Sequence, residues 1–121
     1  MRFRTVCVLG LGYIGLPTAS SFATHGLRVH GVDTDPQVLR ELREGGIRNR
    51  EAGLQELARA ALASGNFEVS DRPTEAEAFV IAVPTPVGSD RRADLRHVEA
   101  AAKAIVPHLR PGNLVMLEST C

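Results

Sequence analysis

The fold is indicated first by the stretch TVCVLGLGYIG at residues 5–15. Its first half, Thr5 to Leu9, is short, apolar and rich in β-branched residues, which is typical of a strand covered on both faces. Its second half places three glycines in the spacing GxGxxG, at Gly10, Gly12 and Gly15. A strand that leads directly into this spacing and then into a helix predicts a loop that binds the phosphates of a dinucleotide.

Each position of this glycine loop has a distinct expected role. Gly10 allows the sharp turn out of the strand, Gly12 lets the backbone approach a pyrophosphate, and Gly15 lets the helix pack closely against the strand. The backbone amides of Tyr13 and Ile14 are expected to face the pyrophosphate at the positive end of the helix. The spacing alone is weak evidence, because the chain contains 11 glycines.

Short apolar runs alternate with amphipathic stretches along the rest of the chain, which is typical of βαβ units with a parallel sheet. The predicted strands span residues 5–9, 27–32, 67–69, 78–83 and 114–117. Helices are predicted at 14–25, 54–63 and 98–109, and another begins at Pro36 after Asp35 as N-cap and stops at Gly45-Gly46. We therefore expect an α/β fold. It is a Rossmann-type doubly wound parallel sheet in the order 3-2-1-4-5, with helices on both faces, truncated after the fifth strand and with its crevice between strands one and four.

An acidic residue stands where such a fold would hold a ribose. Asp33 ends the second predicted strand, 18 residues after Gly15. A carboxylate there accepts hydrogen bonds from the ribose hydroxyls of NAD and repels the additional phosphate of NADP, and Thr34 rather than an arginine follows it. The sequence therefore predicts NAD as cofactor. The alternative is that Asp33 only caps the turn into the second helix, together with Asp35.

Length, composition and charge exclude several classes of protein. The 121 residues suffice for one domain, 1–121, and the 14 basic residues balance the 14 acidic ones, so we expect no nucleic-acid or membrane partner. No run of 18 apolar residues occurs. The two cysteines, Cys7 and Cys121, do not suggest a disulfide framework, which favours a cytoplasmic location. The four histidines lack ligand spacing, and we expect no metal.

Four segments of the sequence resemble one dehydrogenase family. They are GLGYIGLPTA at residues 10–19, GVD at 31–33, AVPTP at 82–86 and LVMLEST at 114–120. Together they are similar to the N-terminal NAD-binding domain of the UDP-glucose/GDP-mannose dehydrogenase family, and within it to UDP-N-acetyl-D-mannosamine dehydrogenases. The resemblance extends over essentially the whole chain. Many dehydrogenases share the glycine loop, whereas VPTP and EST at these separations are far more specific.

The resemblance implies further site residues. Thr85 matches the loop residue that contacts NAD after the fourth strand, although a proline-stiffened loop without a ligand role is the alternative. Ser119 and Thr120 match the pair that lines the nicotinamide side, and the family's threonine helps to place the water that hydrolyses a thioester intermediate. The alternative for Thr120 is that its hydroxyl only forms a hydrogen bond with the backbone at the end of a strand. Glu51 matches the glutamate of the family's E-P-G-L-type loop.

Three positions depart from the family's pattern. Ala52 replaces the usual proline after Glu51, which puts any contact from that glutamate in doubt. Val38 stands where some relatives have a basic residue, so it is assigned no cofactor role. Cys121 is not the family's catalytic cysteine, which lies in a segment beyond residue 121.

The resemblance also implies what the longer enzyme does. It is expected to oxidise a UDP-sugar, most similar to UDP-N-acetyl-D-mannosamine, to the uronate in two NAD-dependent steps, as a homodimer. The fragment is expected to hold NAD without turning over substrate. Two alternatives are a stand-alone, non-catalytic NAD-binding Rossmann module and another Rossmann dehydrogenase, such as a 3-hydroxyacid type. The abrupt end at Glu118-Ser-Thr-Cys favours a fragment over a complete module, and VPTP and EST weigh against the 3-hydroxyacid type.

Overall fold

The computed structural model describes residues 3–45, 52–86 and 94–118. Five parallel strands form one sheet in the order β3-β2-β1-β4-β5, which confirms the predicted order. The strands are β1 Thr5–Leu9, β2 Arg28–Val32, β3 Phe67–Ser70, β4 Ala78–Ile81 and β5 Leu114–Leu117. The fourth strand is shorter than the predicted 78–83, because its last two residues belong to the loop that follows.

Four α-helices connect the strands. They are α1 Gly15–Thr24, α2 Pro36–Arg43, α3 Ala52–Ala63 and α4 Arg96–Ile105, and a 3₁₀ turn over Val106–His108 follows α4. The predicted N-cap of α2 is confirmed, because the Asp35 side chain accepts a hydrogen bond from the Gln37 N–H at 2.9 Å. The helix predicted at 98–109 begins at Arg96 and ends at Ile105 instead. Pro107 has no N–H to continue the helical ladder, so the chain tightens into the 3₁₀ turn.

The side chains of β1 alternate between two cores. Val6 and Val8 belong to the core under α1, α2 and α3, whereas Cys7 and Leu9 belong to the core under α4. The first three helices therefore cover one face of the sheet and α4 covers the other, as a doubly wound fold requires. The winding direction reverses between β1 and β4, at the centre of the sheet.

The edge strand β5 differs from the other strands. Its four side chains, Leu114 to Leu117, are all apolar and each is 40% to 57% exposed. The neighbouring strand β4, in contrast, is buried along its whole length. In the part of the chain that the structure describes, no element covers either face of this edge.

Cys7 gives the fold a predictable pH dependence. The side chain is fully buried, and this desolvation raises the pKa of its thiol from 9.0 to about 11, against a smaller lowering effect of a hydrogen bond with the Thr74 backbone. The unfolded chain therefore loses this proton first as the pH rises. Stability that is fully present below pH 9 is expected to be lost between about pH 9 and 11.

The test is the free energy of unfolding, measured by urea denaturation across this range for the natural chain and for Cys7→Ala. Other groups titrate in both proteins, so the informative quantity is the difference between the two slopes. We expect a steeper decline with Cys7 present. Parallel curves would contradict the assignment of this effect to the buried thiol.

Candidate functional site

A crevice of about 640 Å³ opens where the winding direction of the sheet reverses, as the sequence predicts. Its walls come from the glycine loop, from the residues that follow β2, β3, β4 and β5, and from one face of α4. The volume lies in the range of pockets that enclose small organic ligands. All five strand ends that contribute are carboxyl ends, because the sheet is parallel.

Two glycines of the loop are required by the fold itself. Gly10 has a φ of +98°, and a Cβ added there would lie 2.7 Å from the carbonyl oxygen of Ala82. A Cβ on Gly15 would lie 1.6 Å from the carbonyl oxygen of Gly10. The tight turn and the close packing of helix on strand that the sequence predicts are therefore both present.

Gly12 is different, because a Cβ added there would meet no atom of the described residues within 4 Å. The residue is exposed, its φ lies outside the left-handed region, and it lines the crevice. The fold of the chain therefore does not require glycine at this position. Gly12 leaves the backbone of the loop open to the crevice.

The N-terminal end of α1 opens into this crevice through Gly12, Tyr13 and Ile14. Ile14 is its N-cap and makes no side-chain capping hydrogen bond, and the first turn contains no acidic residue. The contrast with α2, which Asp35 caps, is informative. A helix end without a side-chain cap and without an acidic residue in its own first turn leaves backbone N–H groups for an anion from solution.

Asp33 has two backbone partners in the described chain. Its Oδ1 accepts a hydrogen bond from the Asp35 N–H at 2.9 Å, and its Oδ2 accepts one from the Leu11 N–H at 3.0 Å. The capping role weighed above is therefore present, and the carboxylate also fixes the glycine loop. The side chain is half-buried and lines the crevice. A carboxylate offers about four acceptor sites, so two remain for a ligand.

On the opposite side of the glycine loop lies a pair that the sequence analysis missed. The Thr18 hydroxyl is 3.1 Å and 3.3 Å from the two carboxylate oxygens of Glu118, across 100 residues of sequence. The Glu118 N–H donates to the Ile81 carbonyl at 2.9 Å. The sequence signal for this pair is a charged residue directly after four apolar strand residues.

The other predicted site residues are only partly placed. Thr85 is half-buried after β4, beside Val83 and Pro84, which line the crevice. Ser119, Thr120, Glu51 and Cys121 lie outside the described residues. Val38, which the sequence analysis assigned no cofactor role, does line the crevice.

Neither a group of metal-binding side chains nor a membrane-spanning helix occurs in residues 3–45, 52–86 and 94–118. In these ranges no three His, Cys, Asp or Glu side chains are grouped so that they could hold a metal ion. In the same ranges no helix has both the length and the apolar character needed to cross a bilayer.

Comparison with known proteins shows that this chain matches the sequence pattern of one protein family. Residues 4–121 match the pattern described as UDP-glucose/GDP-mannose dehydrogenase family, NAD binding domain. A UDP-N-acetyl-D-mannosamine dehydrogenase of Methanococcus maripaludis is 43% identical over 121 residues, which is 97% of this chain. An NDP-N-acetyl-D-galactosaminuronic acid dehydrogenase of Ralstonia nicotianae is 47% identical over 98% of this chain. The chain spans 28% of the length of each of these curated relatives.

A solved structure shares the fold as well. The UDP-N-acetyl-mannosamine dehydrogenase of Staphylococcus aureus superposes with a TM-score of 0.92 at 45% identity. The superposition covers 96% of this chain and 29% of that protein. The arrangement of strands and helices described above is therefore the arrangement found in a dehydrogenase of known structure.

Proposed function

Because the chain belongs to the UDP-glucose/GDP-mannose dehydrogenase family and is its NAD-binding domain, we propose a specific placement of NAD in the crevice. The pyrophosphate lies on the glycine loop and the adenosine ribose lies at Asp33. The nicotinamide lies at the carboxyl ends of β4 and β5. The observation that supports this most directly is the uncapped N-terminus of α1 beside the open face of Gly12.

The pyrophosphate site rests on charge and access. Backbone N–H groups at the start of α1, with the partial positive charge of the helix dipole, stabilise an anion. Gly12 leaves the approach open, since no atom of the described chain occupies the space of its missing side chain. The backbone amides of Tyr13 and Ile14 then complete the contact with the phosphates.

The proposed ribose site depends on the two acceptor sites of the Asp33 carboxylate that its backbone hydrogen bonds leave unused. Its bonds to Leu11 and Asp35 hold the carboxylate in place before any ligand arrives. A carboxylate held in this way accepts hydrogen bonds from two ribose hydroxyls with little loss of side-chain entropy. A 2′-phosphate there would meet a fixed negative charge, which is why the proposal is NAD and not NADP.

We place three further residues on the nicotinamide side, from the family resemblance. Thr85 contacts the cofactor from the loop after β4, and Ser119 and Thr120 do so from the segment after β5. Thr120 also positions the water that hydrolyses the thioester in the second oxidation step.

The activity of the longer protein is part of the same proposal. NAD held by this domain would supply the hydride acceptor for oxidation of the sugar, and the domain would orient it while a separate sugar-nucleotide domain supplies the reactive cysteine. The substrate is a UDP-sugar, with UDP-N-acetyl-D-mannosamine as the first to test, and the full-length enzyme is a cytoplasmic homodimer. The 121-residue chain alone is expected to bind NAD without oxidising the sugar.

The proposal is tested by titrating NAD and NADP into the natural chain and Asp33→Asn. We expect the natural chain to prefer NAD. Asp33→Asn should weaken NAD binding by about 1–3 kcal/mol, which is the scale of hydrogen bonds to a charged acceptor, and should leave NADP binding no weaker. Glu56→Gln, on the exposed face of α3, removes the same charge far from the crevice and should change neither affinity.

Because Asp33 also fixes backbone, the free energy of unfolding without cofactor has to be measured for the same variants. A loss of affinity in a variant that is still folded supports the ribose contact. Equal affinity of the natural chain for NAD and NADP, or an Asp33→Asn chain with unchanged affinity for NAD, would refute the proposed ribose site.

A further inference from the structure

We propose that Glu118, fixed by Thr18, makes the crevice discriminate between the two redox states of the cofactor and favour NAD⁺ over NADH. The proposal rests on the function proposed above. It concerns a residue for which the sequence analysis gave no role.

The position of Glu118 follows from the sheet order. Asp33 lies after β2 and Glu118 lies after β5, so the two carboxylates stand on opposite sides of the glycine loop that follows β1. Three strand spacings separate β2 from β5, roughly 14 Å at about 4.8 Å each. A dinucleotide with its ribose at Asp33 and its pyrophosphate on the loop therefore extends its nicotinamide half toward Glu118.

The carboxylate of Glu118 is held from two directions. Its own N–H bonds the Ile81 carbonyl at 2.9 Å, which fixes the backbone beside β4. The Thr18 hydroxyl lies 3.1 Å and 3.3 Å from its two oxygens, which fixes the side chain against the first turns of α1. A hydroxyl orients the carboxylate without neutralising it. In the described part of the chain, no cationic side chain lies within salt-bridge distance of it.

The side chains around the crevice do not offset the negative charge of Glu118 in the part of the chain that the structure describes. The acidic side chains that line it are Asp33, Asp35, Asp71 and Glu118, and the other titratable side chains that line it are Tyr13 and, from α4, His97. No lysine or arginine lines it in the ranges that the structure describes. Three of the carboxylates lie on the ribose side, and Glu118 lies near the proposed position of the ring.

The two redox states differ in charge at that ring. The nicotinamide of NAD⁺ carries a positive charge, and hydride transfer to it gives the neutral ring of NADH. A fixed carboxylate nearby attracts the cation and has no such attraction for the neutral ring. For an assumed separation of about 8 Å and an effective dielectric constant of about 40, this difference corresponds to roughly a fivefold preference. The preference would aid release of the reduced product.

The experiment compares dissociation constants of NAD⁺, NADH and ADP-ribose for the natural chain and Glu118→Gln. Glutamine keeps the shape and an oxygen that can accept from Thr18, so the variant removes mainly the charge. We expect the ratio of the NADH to the NAD⁺ constant to fall about fivefold. ADP-ribose, which lacks the ring, should bind unchanged.

Two further variants separate position from charge. Asp71→Asn removes one negative charge on the ribose side of the crevice and should leave the NADH to NAD⁺ ratio unchanged. Thr18→Val keeps the charge but removes the hydroxyl that orients it, so the ratio should fall by a smaller factor, about twofold, than for Glu118→Gln.

The outcomes are distinct. A natural chain that binds NAD⁺ but shows no change of ratio in Glu118→Gln refutes this inference and leaves the proposed function in place. A loss of ADP-ribose binding equal to that of NAD⁺ shows a purely structural role for Glu118 and also refutes it. A natural chain that binds neither NAD⁺ nor ADP-ribose refutes the proposed function and this inference with it.

Discussion

Replacing Gly15 with alanine is expected to lower the free energy of unfolding by about 3 kcal/mol or more, a large part of the stability of a small domain. The new Cβ would lie 1.6 Å from the carbonyl oxygen of Gly10 and 2.7 Å from its carbonyl carbon. Neither atom belongs to a side chain that could rotate away. Gly10 is itself held, because its N–H donates to the Val32 carbonyl at 2.8 Å.

Relief of this clash would require α1 to move away from β1. That movement would open the core formed under the helix by Leu16 and Ala19, both of which are buried. We therefore expect loss of NAD binding as a consequence of the lost fold, and not as a separate effect.

Urea denaturation of Gly15→Ala beside Gly53→Ala provides the measurement and its control. Gly53 lies in α3, and a Cβ there would meet nothing within 4 Å among the residues that the structure describes. Alanine is the better helix former, so Gly53→Ala should leave stability unchanged or raise it by up to about 1 kcal/mol. A Gly15→Ala chain as stable as the natural one would show that α1 and β1 do not approach as closely as described.

Gly12→Ala is expected to have the opposite profile, with an intact fold and a weakened cofactor site. The substitution meets no atom of the described chain, and it requires no left-handed backbone. The free energy of unfolding without ligand should stay within about 0.5 kcal/mol of the natural value. NAD affinity should fall about 100-fold, equivalent to about 2.7 kcal/mol, because the methyl group occupies the approach to the pyrophosphate.

Calorimetric titration of NAD into Gly12→Ala, with denaturation of the same preparation, separates the two effects. The same titration with AMP, which has no pyrophosphate, serves as a ligand control and should change much less. Affinity for NAD within a factor of two of the natural chain would exclude the proposed path of the pyrophosphate over Gly12.

The fold was predictable from sequence because its determinants are local. Five residues with strand character lead into the glycine spacing at Gly10, and Asp35 and Pro36 start α2 by short-range rules that the structure confirms. The strand order then follows from the general behaviour of doubly wound sheets. The end of α4 was mispredicted because Pro107 interrupts its backbone ladder within a continuous apolar pattern.

The site was less predictable because its contacts join distant parts of the chain. The bond from Leu11 to Asp33 spans 22 residues and the bond from Thr18 to Glu118 spans 100, and neither has a local pattern. Thr85, Ser119 and Thr120 were identified by family resemblance, and their cofactor contacts stay predictions. Residue type indicated which groups could bind a ligand, but only the assembled sheet shows which of them face one crevice.

The Asp33 carboxylate accepts two backbone hydrogen bonds, and these bonds have a consequence for engineering the cofactor preference. A designer who wished this domain to accept NADP would first exchange that carboxylate for a neutral or basic side chain. The exchange would also release the amide of Leu11 and loosen the turn that carries the phosphates. A redesigned domain would therefore need a new acceptor for that amide, supplied by a neighbouring position, before the altered ribose pocket could be used.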